Sequence, residues 1–191
     1  MDRRELLKMI VAATGAAMVG LPALVHGQVP AAAARMAFSE ADIGMLDEIA
    51  ETILPRTRTP GAKDAGAGLF MATFVSDCYT ARQQATFRAG LADIDTRAGG
   101  RFVSLTPEAR SELLRALDAE ARARHADVTE TGTPEGDEAM PHYFTMLKQL
   151  AIFGFFTSKV GATGVLQYVA VPGRYEGDLA YVPGTPAWGT S

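Results

Sequence analysis

The chain contains one cysteine, Cys78, so no disulfide can close within it. It contains three histidines, and no Cys/His cluster has metal-ligand or c-type haem spacing. It lacks GxGxxG, P-loop and GxSxG motifs, which removes the familiar nucleotide-binding and nucleophile-elbow enzymes. No pair of carboxylates stands in a recognisable catalytic frame. Positive charge is not in excess: 18 basic residues face 22 acidic ones. A net charge of −4 without a basic patch excludes a nucleic-acid binder. No apolar run reaches the ~20 residues that a membrane span needs. The nearest approach, Met9 to Val25, is interrupted by Thr14, Gly15, Gly20 and Pro22. There is no internal repeat.

The N-terminus carries the first positive signal. Arg3, Arg4 and Lys8 form a basic segment ahead of that weakly apolar stretch, and small residues alternate at Ala31 to Ala34. This is the layout of an export signal with an A-x-A cleavage site. Within "DRRELLK", Arg3, Arg4, Leu7 and Lys8 match the twin-arginine consensus, while Asp2 and Leu6 depart mildly from it. Residues 1–33 are therefore expected to be a twin-arginine signal. Residues 34–164 are expected to form a helical domain, and residues 165–191 an extended segment. Twin-arginine export carries folded cargo, so a small chain without a cofactor motif raises the question of what the cargo is.

The 191 residues hold about one domain once the signal is removed. Ser39 with Asp42 predicts a capped helix start, and Ile43, Leu46, Ile49, Ala50, Ile53 and Leu54 share one helical face. Pro55 and "RTRTPGAKDAGAG" predict a long loop. A second helix, capped by Asp64 or a neighbour, is expected over about 65–79, with Leu69, Phe70, Phe74 and Val75 inward. Thr80 opens a third, with Phe87, Leu91 and Ile94 inward and a stop at Gly99–Gly100. Thr106, Pro107 and Glu108 mark the start of a fourth, edged by Leu113, Leu114 and Leu117. "HADVTETGTPEGDEAMP" reads as a solvated linker, and His142 opens a strongly apolar helix. In "TSKVG", adjacent Ser158 and Lys159 cannot face each other as a nucleophile pair. Thr157, Ser158 and Gly161 are expected to end that helix and allow close backbone approach. The fold class is all-α, a single small helical domain.

The last segment is Gly/Pro-rich yet apolar. Pro172–Gly173 suits the middle of a type II turn. Tyr168, Tyr175, Tyr181 and Trp188 need a surface, either on their own domain or on a partner, where aromatics serve as anchors. In an oxidising compartment Cys78 is either a buried, inert thiol or paired with another chain.

Four stretches in order carry a resemblance: "ETILPRTRTPGAKDAG" at Glu51 to Gly66, "LTPEAR" at Leu105 to Arg110, "FGFFTSKVGATGVLQYVAVPGRYEGDLAY" at Phe153 to Tyr181, and the closing "TPAW". Together with the twin-arginine signal they resemble the small subunit (subunit 3, or gamma) of membrane-bound gluconate, glucose and sorbitol dehydrogenases. The resemblance implies a subunit without catalytic, cofactor-binding or metal-binding residues of its own. It implies a large partner of the glucose–methanol–choline oxidoreductase type that holds FAD, and a multihaem c-type cytochrome, with haem c, that attaches the complex to the membrane. It further implies maturation and co-export of the folded flavoprotein into the periplasm through the Tat translocase. The partner for Cys78, if bridged, is then the large subunit. The alternatives are a free-standing periplasmic small-molecule-binding protein or enzyme, and a membrane-anchored protein whose signal is not cleaved.

Overall fold

A computed structural model describes residues 38–131, 140–171, 173, 177–178, 180 and 182–189, with the backbone alone for 126–131. Six α-helices occur among them: α1 (Glu40–Ile53), α2 (Ala67–Cys78), α3 (Ala81–Arg97), α4 (Pro107–Thr131), α5 (Tyr143–Thr157) and α6 (Lys159–Gly164). Short 3-10 turns at Lys63–Ala65 and Phe102–Ser104 join them. The described residues hold no strand, only an isolated parallel bridge between Gln167 and Trp188. The all-α, single-domain expectation is met.

Helices α1, α3 and α4 start where local chemistry satisfies their free amides. Ser39 and Asp42 form a reciprocal capping box on α1. Thr80 and Gln83 do the same on α3. On α4, Thr106 Oγ1 accepts from the Ala109 amide at 3.3 Å, with Pro107 in the first helical position. The end of α3 falls at Arg97, just before Gly99 and Gly100.

Helix α5 is the centre. It packs against α1, α2, α3, α4 and α6. A helix in that position must be apolar nearly all round, and α5 buries Phe144, Met146, Leu147, Leu150, Ala151 and Phe155. Its neighbours contribute Leu46, Ile49, Met71, Val75, Phe87, Ile94 and Leu117, all fully buried. Each such side chain contributes about 1.5–3 kcal/mol.

Three sequence expectations are corrected. Asp64 does not cap α2. It lies in the first 3-10 turn, where Oδ2 accepts from the Gly61 amide at 2.9 Å and Oδ1 pairs with Arg56. The N-cap of α2 is Gly66, at φ +64°, and the cap function comes from α1: Asp47 Oδ1 accepts from the Gly68 amide at 2.8 Å. Leu69 is not inward but 60% exposed, because α2 presents Ala67, Met71, Ala72 and Val75 to the core. The acidic linker starts later than its composition suggests, since α4 remains helical through Thr131.

Candidate functional site

The loop between α1 and α2 is held by three carboxylates on one face of α1. Asp47 takes the start of α2, as above. Glu48 pairs with Lys63 from the loop and with Arg110 from α4. Arg110 also donates to the Val103 carbonyl at 2.5 Å and lies over the Phe102 ring, 5.8 Å from its centroid. Glu51 reaches across the loop mouth. Its two oxygens accept from the amides of Arg56 and Lys63, each at 2.9 Å. The loop can close this tightly only because Gly61 and Gly68 lack a Cβ. A Cβ on Gly61 would stand 2.6 Å from the Arg56 nitrogen and collide with the Glu51 carboxylate. One on Gly68 would stand 2.5 Å from Asp47 Oδ1. The stretch from Glu51 to Gly66 is thus a fastened structural loop.

At the end of α5, Ser158 serves two helices. Its hydroxyl donates to the Phe155 carbonyl at 2.7 Å and accepts from the Gly161 amide at 3.0 Å. A Cβ on Gly161 would strike the Phe155 carbonyl, so the sharp α5–α6 corner depends on that glycine. Ser158 is therefore a cap, as its neighbours in the sequence suggest.

The described part of the C-terminal segment closes on itself at its base. The Gln167 amide donates to the Ala187 carbonyl at 2.8 Å, and the Gly189 amide returns a bond to the Gln167 carbonyl at 2.7 Å. Gln167 Nε2 adds a bond to the Pro186 carbonyl at 2.7 Å. Tyr168 and Trp188 flank this closure and remain about half exposed. Val171 and Val182 are more open still, at 81% and 62%. Gly173 has φ +76°, as the third position of a type II turn requires. Tyr175 and Tyr181 lie outside the described residues, as do Arg3, Arg4, Leu7 and Lys8.

A second apolar surface, not anticipated from sequence, joins α2 and α5. The rings of Phe70 and Phe74 meet Phe153 at 5.5 and 5.8 Å, and Phe74 continues through Tyr79 to Phe87. Gly154 makes room for this: a Cβ there would stand 2.5 Å from the Phe70 ring. Phe153 and Leu69 are left exposed. Cys78, at the end of α2, is also exposed, which rules out the buried-thiol reading. The pattern of i, i+4 aromatics at Phe70 and Phe74 was the available signal; that they meet α5 is a long-range fact.

At the start of α5, His142 acts as N-cap, its Nδ1 accepting from the Phe144 amide at 3.2 Å. Next to it, the Tyr143 hydroxyl donates to Asp93 at 2.5 Å, and Arg97 joins Asp93 to Glu120. Burial, first, and then the cation of Arg124 hold His142 below its ordinary value of 6.5, against the opposing carboxylates of Glu120 and Asp93. Because the folded pKa lies below the unfolded one, the unfolded chain binds more protons between the two values. Stability is complete above 6.5 and falls as the pH drops through that window, because the unfolded imidazole takes up a proton while the folded one keeps its Nδ1 lone pair for the Phe144 amide. Thermal unfolding followed downward from above pH 6.5 is expected to show a Tm that falls on the acid side. That component should vanish in His142→Asn, which retains a cap without the titration.

Among the described residues, no group of three or more His, Cys, Asp or Glu side chains is placed to hold a metal ion. Also among them, no helix is long and apolar enough to cross a membrane. The chain matches no curated protein and no solved structure. Residues 40–173 match the family model described as gluconate 2-dehydrogenase subunit 3. The match spans well over half of the chain, running from the first residue of α1 through the loop clamp and the Ser158 corner into the C-terminal segment. The chain therefore belongs to the gluconate 2-dehydrogenase subunit 3 family, whose members are accessory subunits of a multisubunit dehydrogenase.

Proposed function

We propose that this chain is the non-catalytic gamma subunit of a periplasmic dehydrogenase acting on sugars, polyols or sugar acids, and that it escorts the folded flavoprotein subunit through the Tat translocase. The observation that carries the reading is the twin-arginine segment at Arg3 and Arg4 on a chain of a dehydrogenase small-subunit family. A subunit that needs no cofactor to fold gains nothing from a route built for folded cargo; a flavoprotein that must take up FAD before export does. The large glucose–methanol–choline-type subunit holds the FAD and the catalytic residues. A multihaem c-type cytochrome receives the electrons and ties the complex to the membrane. The small subunit contributes the address, the fold that retains the cargo, and an exposed apolar surface. Tyr168 and Trp188, both about half exposed, are its anchors, with Tyr175 and Tyr181 in the same segment, and Cys78, which is exposed, bridges to the large subunit.

Affinity capture of the tagged chain from periplasm of the native strain tests this. A flavin-bearing partner is expected in the eluate. Non-reducing electrophoresis should show one band of summed mass that a thiol reductant splits, and Cys78→Ser should abolish it. The double change Tyr168→Ala with Trp188→Ala should lower recovery of the flavoprotein by about tenfold or more while leaving the circular dichroism of the chain unchanged. An eluate without flavin would contradict the assignment.

A further inference from the structure

A half-open groove of about 420 Å³ lies between the end of α1, the first half of α4 and the start of α5. Its volume is that of a small-molecule site. Ile53, Pro55, Leu114 and Phe144 give it an apolar floor, and Arg115, Asp118 and Lys148 line its polar edge. The edge is prearranged. Asp118 Oδ1 accepts from Lys148 Nζ at 2.7 Å, and Oδ2 pairs with Arg122 at 2.7 Å. The hydrogen bond from Lys148 is the largest of the causes that hold the Asp118 carboxyl below its ordinary range, so it stays anionic and keeps Lys148 in place. Both Asp118 oxygens are occupied, and the charged lining of the groove is two cations, Arg115 and Lys148, to one anion. Lys148 retains two ammonium protons to donate. Arg115 is exposed and makes no ion pair with the described residues.

We propose that this groove binds a small monocarboxylate with an apolar body. The carboxylate sits between Arg115 and Lys148, and the apolar part lies on Ile53, Pro55 and Leu114. A planar guanidinium suits a carboxylate, and the fixed ammonium adds a second charge-assisted bond. The same lining argues against sugars and sugar acids. Their hydroxyls project from all sides of the molecule, and away from the Arg115, Asp118 and Lys148 edge the groove offers only Ser111 and Thr52, whose hydroxyl already donates to the Glu48 carbonyl at 2.7 Å. Unpaired hydroxyls against an apolar floor would be unfavourable. The groove is thus a site for an aliphatic or aromatic acid, distinct from the substrate chemistry proposed for the complex.

Benzoate titrated into the full-length chain, followed by amide chemical shifts, tests the site. Saturable shifts are expected at residues 111–118 and at Lys148. Arg115→Gln, at an exposed position that the fold does not use, should weaken binding about tenfold, the loss of one charge-assisted hydrogen bond. Benzyl alcohol, which has the ring without the charge, should leave those signals unmoved. Failure to saturate at millimolar benzoate, an equal response to benzyl alcohol, or unchanged binding in Arg115→Gln would overturn the proposal. The same titration on the assembled complex should give the same binding. Binding lost on assembly would assign the groove to a partner subunit and overturn the free-ligand reading.

Discussion

Replacing Glu51 by alanine is expected to lower stability by about 2 kcal/mol, the contribution of charge-assisted bonds to two backbone amides discounted for partial exposure. In a domain of this size that is a fall of about 4–8 °C in Tm. The loss follows from geometry. Glu51 is the one side chain that ties the two ends of the loop, at Arg56 and Lys63, to the last turn of α1. Gly61→Ala attacks the same arrangement from the other side, because the new methyl occupies the place of the Glu51 carboxylate and presses on the Arg56 amide. It should cost about as much. In the double variant the clash and the lost bonds are the same event, so the combined loss should fall short of the sum by 0.5 kcal/mol or more, on the order usual for groups in contact. Full additivity, or a Tm unmoved by Glu51→Ala, would show that the loop is not fastened there. Pairing by Glu48 with Lys63 and Arg110 keeps α1 and α4 together in either variant, so circular dichroism should remain helical.

The helix starts were legible because their chemistry is local. Ser39 with Asp42, Thr80 with Gln83, and Thr106 before Pro107 each satisfy amides within a single turn, and three-residue spacing is visible in a sequence. The apolar character of α5 was likewise plain, and it placed that helix at the centre. What was not legible depends on contacts far apart in the chain. Asp47, Glu48 and Glu51 look like the solvated face of an amphipathic helix; their partners lie on a loop that must first fold back. Asp64 and its neighbours stand where a local cap is expected, yet a carboxylate on α1 does that work for Gly68, leaving Asp64 to hold Gly61 and Arg56. Leu69 departs from its expected inward place for a related reason. On α2 the buried face is Ala67, Gly68, Met71, Ala72 and Val75, packed close against α1, and Leu69 falls outside it. Periodicity finds the apolar face, but it does not say which part of a wide apolar face is covered. The groove of Arg115, Asp118 and Lys148 draws on three helices and has no signature in any one of them.

Two apolar surfaces stand exposed, and under the proposed function each is a place to hold a partner: the Tyr168–Trp188 closure of the C-terminal segment, and the α2–α5 surface with Leu69, Phe153 and Cys78. A partner that covers either one removes apolar area from water, and scattered aromatic anchors of this kind dominate the energetics of interfaces. Neither surface bears on the proposed export. Under the proposed function Arg3 and Arg4 address a folded pair of proteins for export, and changing them is expected to have the largest effect of any change in this chain.

Changing Arg3 and Arg4 together to lysine isolates that claim. Lysine preserves the charge and helical tolerance of the segment but not the planar guanidinium, so a requirement for charge alone survives the exchange and a requirement for the arginine pair does not. The decisive measurement is dehydrogenase activity in periplasmic and cytoplasmic fractions of a strain carrying only the double-lysine chain. The account predicts that the precursor of this chain and the FAD-loaded large subunit accumulate together in the cytoplasm, with periplasmic activity reduced by about tenfold or more. Normal periplasmic activity in that strain, or a large subunit exported without this chain, would contradict it.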